Sequence, residues 1–136
     1  MRKIKRIVIH CSASPQEVNG KMIDVEDVDR WHRDRGWKCC GYHAVIIKTG
    51  QVQRGRSDEE EGAHAKGANK DSLGVCLIGD DCFTVAQLVS LRGLLKMWMT
   101  QYHLNSKDIY CHYQLNSNKT CPNFRWEDIR ELFFKQ

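Results

Sequence analysis

The chain has 136 residues, 41% of them hydrophobic and 28% charged, with two prolines, which argues against a disordered or fibrous chain, and no apolar run approaches the ~20 residues of a membrane-spanning helix. Its length suits one domain, residues 1–136, built on one hydrophobic core. The net charge of +4 is mild, and no nucleic-acid motif or interleaved basic and aromatic patch accompanies the basic run from Arg2 to Arg6, so nucleic acid is not an expected partner while an anionic cell wall remains compatible.

The N-terminus MRKIKRIVIH begins like a signal peptide, but its apolar part, residues 7–9, is far shorter than the roughly 7–15 residues of an h-region, and no small-residue cleavage site follows. The expectation is synthesis and retention in the cytosol without a membrane anchor, so that a substrate outside the membrane is reached only after release by another factor. Seven cysteines form an odd set without the spacing of a small secreted scaffold, which argues for reduced thiols. Cys76 and Cys111 sit in strand-like apolar runs as buried structural thiols, and adjacent Cys39 and Cys40 carry no assigned chemistry.

In chain order, residues 3–12 read as a strand because Ile4, Ile7, Val8 and Ile9 are β-branched and Ser12, Ser14 and Pro15 end the run. Its near-continuous apolar centre implies cover on both faces, with His10 at the C-terminal end. Residues 24–35 read as a helix capped by Asp24, with Val25, Val28, Trp31 and His32 on the inner face and Gly36 as the stop. Residues 41–48 are a strand, and Thr49-Gly50 turns it into a second over 51–54. Alternation there puts Tyr42, Ala44 and Ile46 on one face and His43 on the other. Residues 55–70 lack periodicity and read as a surface loop able to wall a groove, its acidic run a solvated face. A covered strand over 73–79 follows, then the longest helix, 84–102, with Thr84 and Gln87 as a capping box and Leu88, Leu91, Leu95 and Trp98 as its core stripe. A short strand over 109–112 and a closing helix over 126–134 complete an α/β chain, a mixed central sheet flanked by helices.

The chemistry concentrates after that last strand, in IYCHYQLNSNKTCPNF. His112 and Cys121 lie on either side of a polar loop, with Lys119 two residues before the cysteine. Imidazole and thiolate are good zinc ligands, and a catalytic zinc takes three protein ligands and leaves a position for water. His10, at a strand end where open α/β sheets hold their ligands, is the best third. Spacing alone leaves the bland alternative open: hydrogen-bonded core-edge histidines and a buried thiol. His64, Lys66 and Asn69 stand in a glycine-containing loop able to grip a peptide or sugar, or His64 simply bonds backbone. His32, His43 and His103 are read as element residues without function.

The runs IVIHCSAS, RGWKCCGYHAVI, HAKGANKDSLGVCLIG, CHYQL and KTCPNF, in this order across nearly the whole chain, resemble the type 2 N-acetylmuramoyl-L-alanine amidases, the group that includes the small zinc amidases of short-tailed coliphages and, more distantly, the peptidoglycan recognition proteins. The resemblance implies the fold of that family, a Zn2+ cofactor held by His10, His112 and Cys121, catalytic parts for Tyr42 and Lys119, and a groove lined by His64 and Asn69. It implies hydrolysis of the amide between N-acetylmuramic acid and L-alanine in peptidoglycan. The chain departs from many relatives in carrying His112-Tyr113 in place of His-Arg, and the span from His112 to Cys121 varies in length among them. Lys119 suits an oxyanion, and the Tyr42 hydroxyl suits orienting water or donating to the same oxyanion. Two other readings accompany this one: a module of the same fold that binds muropeptide without cutting it, and a contact with a phage RNA polymerase through the basic N-terminal segment.

Overall fold

Strand β1 (Arg6–Cys11) lies inside a five-stranded sheet, paired in parallel with β6 (Ser72–Leu77) on one side and β7 (Ile109–Cys111) on the other. The computed structural model describes residues 2–134. Strand β4 (Ala44–Ile46) extends the sheet in parallel beside β6, and β5 (Val52–Arg54) closes that edge antiparallel, giving the order β5-β4-β6-β1-β7. This is the expected mixed sheet.

Strand alternation divides the core in two. Ile7 and Ile9 of β1, with Leu73, Val75 and Leu77 of β6 and Ala44 and Ile46 of β4, face α2 (Val85–Tyr102) and α4 (Trp126–Phe134). Leu91, Leu95 and Trp98 are fully buried there, while Leu88 is only half-buried. On the other face Val45, Ile47, Cys76 and Ile78 pack against Val28 of α1 (Val25–Asp34). His10 shares this second face, since its register partner is Cys76. Both helices start as their sequences foretell, with reciprocal capping boxes at Asp24 and Asp27 and at Thr84 and Gln87.

Two elements escaped the sequence reading. Strands β2 (Glu17–Val18) and β3 (Lys21–Met22) form a small hairpin around Asn19 and Gly20, whose φ angles of 51° and 78° match the Asn-Gly preference for such turns. The expected last strand stops at Cys111, and His112 instead opens the short helix α3 (His112–Leu115). The basic N-terminal run alternates: Lys3 and Lys5 are exposed, Arg2 bonds to the carbonyls of Asp58 and Ser72, and Arg6 pairs with Asp71 at 2.9 Å. All seven cysteines are free thiols. No helix among the described residues is long and apolar enough to cross a membrane.

The expectation that Tyr42 shares a face with Ala44 and Ile46 is corrected. Residues 41–43 precede the regular strand, and their backbone is held by the following loop and by β6: Ala63 donates to Gly41 O, Arg56 to Tyr42 O, Gly55 to His43 O, and His43 N–H to Gly74 O. Tyr42 thereby packs beside Val45 and Ile47 on the α1 face. Two buried histidines fix this segment. The Gly41 N–H donates to His32 Nδ1 at 2.8 Å, and the Gly74 N–H donates to His43 Nδ1 at 3.0 Å. Each imidazole accepts from a backbone donor, so a second proton on either ring would face an N–H.

Burial, aided by nearby arginines, lowers both rings from 6.5 to about 4. Between these values the unfolded chain takes up protons that the folded chain refuses, so stability falls as the pH is lowered through that window and levels off below it. Urea melts at about pH 7 and about pH 4 should show a clear drop in midpoint; an unchanged midpoint would contradict the buried neutral state of His32 and His43.

Candidate metal centre and active site

Because β1 and β7 are adjacent and parallel, their C-terminal ends deliver His10 and His112 to the same rim of the sheet. Their rings are 4.4 Å apart between centroids, and the two Nδ1 atoms approach to 3.2 Å. The loop after α3 returns Cys121 to this point, its carbonyl accepting from Tyr113 N–H at 3.2 Å, and sets its Sγ 3.3 Å from His112 Nδ1. The three donor atoms lie within 4.8 Å of one another, and both histidines are buried.

The electrostatics match a cation site. Burial lowers His10 and favours its neutral, lone-pair-bearing form. Hydrogen bonds, first from the Cys11 thiol and then from His10 and His112, hold the Cys121 thiol far below its ordinary range against the opposing effect of burial. The Cys11 thiol is correspondingly raised. Two neutral imidazoles and a thiolate carry one negative charge, a donor set suited to a divalent, borderline-soft metal. For ligands about 2.0–2.1 Å from a tetrahedral zinc, the edge between two nitrogens is roughly 3.3 Å. The observed Nδ1 separation of 3.2 Å agrees with that edge, so the residues fit the metal.

Tyr42 is brought to the same place, its ring centroid 5.1 Å from that of His10 and 5.4 Å from that of His32. Its hydroxyl interacts with the Cys76 thiol, and burial, together with the neighbouring Cys76 and Cys121, keeps the phenol protonated well above its usual range. Lys119 is exposed on the loop, its backbone N–H donating to Asn116 O at 3.0 Å, and its positive charge helps to lower His10. His10, His112, Cys121 and Tyr42 therefore converge, with the Lys119 charge felt at His10.

His64 and Asn69, expected along a substrate groove, make internal contacts. His64 Nδ1 lies 2.8 Å from His10 Nε2, and its Nε2 lies 3.2 Å from Ser72 Oγ. Asn69 Oδ1 accepts the backbone N–H groups of His64 and Ala65, each at 2.8 Å, and so shapes the loop. Sequence reasoning missed two neighbours of the site. Cys11, directly after His10, bonds to Cys121 and receives Asn123 Nδ2 at 3.8 Å. His32, passed over as a helix residue, forms the wall behind Tyr42 and stacks against Trp37 at 4.6 Å.

Comparison with known proteins agrees with this geometry. Residues 1–124 match the N-acetylmuramoyl-L-alanine amidase family. The endolysin of Escherichia phage T7 is 37% identical over 93% of this chain and 87% of its own. Among solved structures, the N-acetylmuramoyl-L-alanine amidase LysC from Clostridium intestinale superposes with a TM-score of 0.85 at 29% identity, covering 96% of this chain and 85% of that one. Peptidoglycan recognition protein-LE, solved in complex with tracheal cytotoxin, a monomeric diaminopimelic acid-type peptidoglycan, superposes with a TM-score of 0.80 at 27% identity over 96% of this chain and 81% of its own. With a sheet that sets two histidines and a cysteine on one rim and a family match over that whole arrangement, the chain belongs to the N-acetylmuramoyl-L-alanine amidases and is an endolysin-like enzyme of cell wall lysis.

Proposed function

We propose that this amidase works with one zinc ion held by His10 Nδ1, His112 Nδ1 and Cys121 Sγ, and that its substrate is the amide joining N-acetylmuramic acid to L-alanine in peptidoglycan. The observation that carries the reading is the convergence of these three donors, from two strand ends and a loop, with separations that suit a tetrahedral ion. The muropeptide bound by the structurally similar recognition protein supports peptidoglycan as the polymer that is gripped.

Bound zinc would bring the pKa of a water to about 7 and polarise the scissile carbonyl. The chain supplies the rest. Burial favours the lone-pair-bearing form of His10 and hydrogen bonds favour the thiolate of Cys121, the forms in which each donates to a metal. Tyr42 remains a phenol at neutral pH and acts as a hydrogen-bond donor to the attacking water or to the developing oxyanion. Lys119 is exposed and its positive charge is felt at His10, so it can help to stabilise the tetrahedral oxyanion. His32 packs behind Tyr42 with the two rings tilted and limits its movement.

Three variants separate these parts. Cys121→Ala should lose both bound zinc and amidase activity. Tyr42→Phe and Lys119→Met should retain the zinc while kcat falls by about 10²–10³ for each lost oxyanion partner. Metal analysis beside turnover on purified peptidoglycan reads both quantities. Full activity in Cys121→Ala would sink the metal assignment, and unchanged kcat in Tyr42→Phe and Lys119→Met would remove their catalytic roles.

A further inference from the structure

The seat of His64 is kept open by two glycines. A Cβ on Gly74 would stand 2.6 Å from the His64 Cγ, and one on Gly62 would stand 2.6 Å from its Cδ2. Neither glycine has a left-handed φ, so space for the imidazole, rather than backbone freedom, is what requires them. The ring lies edge-on to His10, at 4.9 Å between centroids and an interplanar angle of 89°. Its Nδ1 is 2.8 Å from His10 Nε2 and its Nε2 is 3.2 Å from the Oγ of Ser72, which is fully buried. Asn69 holds the backbone beneath it.

Once His10 offers Nδ1 to a cation, the proton pattern along this row has one solution. His10 must carry its proton on Nε2, so His64 accepts at Nδ1. His64 then carries its own proton on Nε2 and donates to Ser72 Oγ. We propose that His64 is a positioning residue of the metal centre, fixing the tautomer and orientation of His10, with Ser72 fixing His64 in turn. This rests on the reading that His10, His112 and Cys121 hold zinc. The physical reason is general: a ligand histidine is oriented by the acceptor of its second N–H, and losing that acceptor typically weakens metal binding about 10–100-fold. The paired glycines give the same conclusion from packing, because the socket accepts the ring in this one place.

The test measures zinc affinity by competition with a chromophoric chelator for wild type, His64→Leu, His64→Asn and Gly74→Ala. His64→Leu should bind zinc about 10–100-fold more weakly. His64→Asn should recover most of the loss, since its Oδ1 falls where Nδ1 stood. Gly74→Ala should weaken binding with all three ligands intact, because its Cβ displaces the ring. Imidazole ¹⁵N resonances of the zinc-loaded wild type read the tautomers without any variant, and should find both His10 and His64 protonated on Nε2. Wild-type affinity in His64→Leu, no rescue by His64→Asn, or His64 protonated on Nδ1 would each overturn the proposal. Wild-type protein that takes up no zinc would instead overturn the metal assignment beneath it.

Discussion

The site depends on the pairing of β1 with β7. Their parallel register sets Ile9 opposite Cys111, so the next residue of each strand path, His10 and His112, emerges at one rim with the Nδ1 atoms 3.2 Å apart. A shift of one residue in β1 would turn His10 into the α2-facing core, because side chains alternate across a sheet. Burial of Ile7, Ile9, Ile109 and Cys111 under α2 and α4 therefore fixes the meeting of the two histidines as well as the fold. Core packing and chemistry share one constraint.

That arrangement gathers groups that would repel or stay costly if each were charged. His10, His32, His43 and His64 are all lowered, chiefly by burial, which favours their neutral forms, while the Cys121 thiol is lowered by several hydrogen bonds, which favours its charged form. The interior thus holds neutral imidazoles around a single thiolate. Those farther from Cys121 serve the backbone: His32 and His43 accept from Gly41 and Gly74, shaping the turn that presents Tyr42 to His10. The loop from Gly55 to Asp71 is consequently more than a groove wall, since it carries His64 into contact with His10 and Ala63 into contact with Gly41.

Much of this was legible in the chain itself. The apolar run ending at His10, the capping residues Asp24 and Thr84 and the stripe Leu91, Leu95, Trp98 each state their element through local rules, and the structure follows them. The His10, His112 and Cys121 cluster is legible only in part: His112 and Cys121 are close in sequence, but their meeting with His10 is a long-range consequence of strand order. Tyr42 was placed on the wrong face because alternation was extended beyond the regular strand, into residues whose backbone bonds to the 55–63 loop and to β6. The inward turn of His64 has no local signature. It follows from the absence of side chains at Gly62 and Gly74, and only the folded arrangement shows what fills that space.

The most direct test of a zinc-dependent amidase is mass spectrometry of the products released from purified peptidoglycan, with the protein as purified, after chelation, and after zinc is restored. Free stem peptides beginning with an L-alanine amino group should be released, lost on chelation and regained with zinc. Product release that persists without any metal would contradict it, as would binding to the wall with no fragment released.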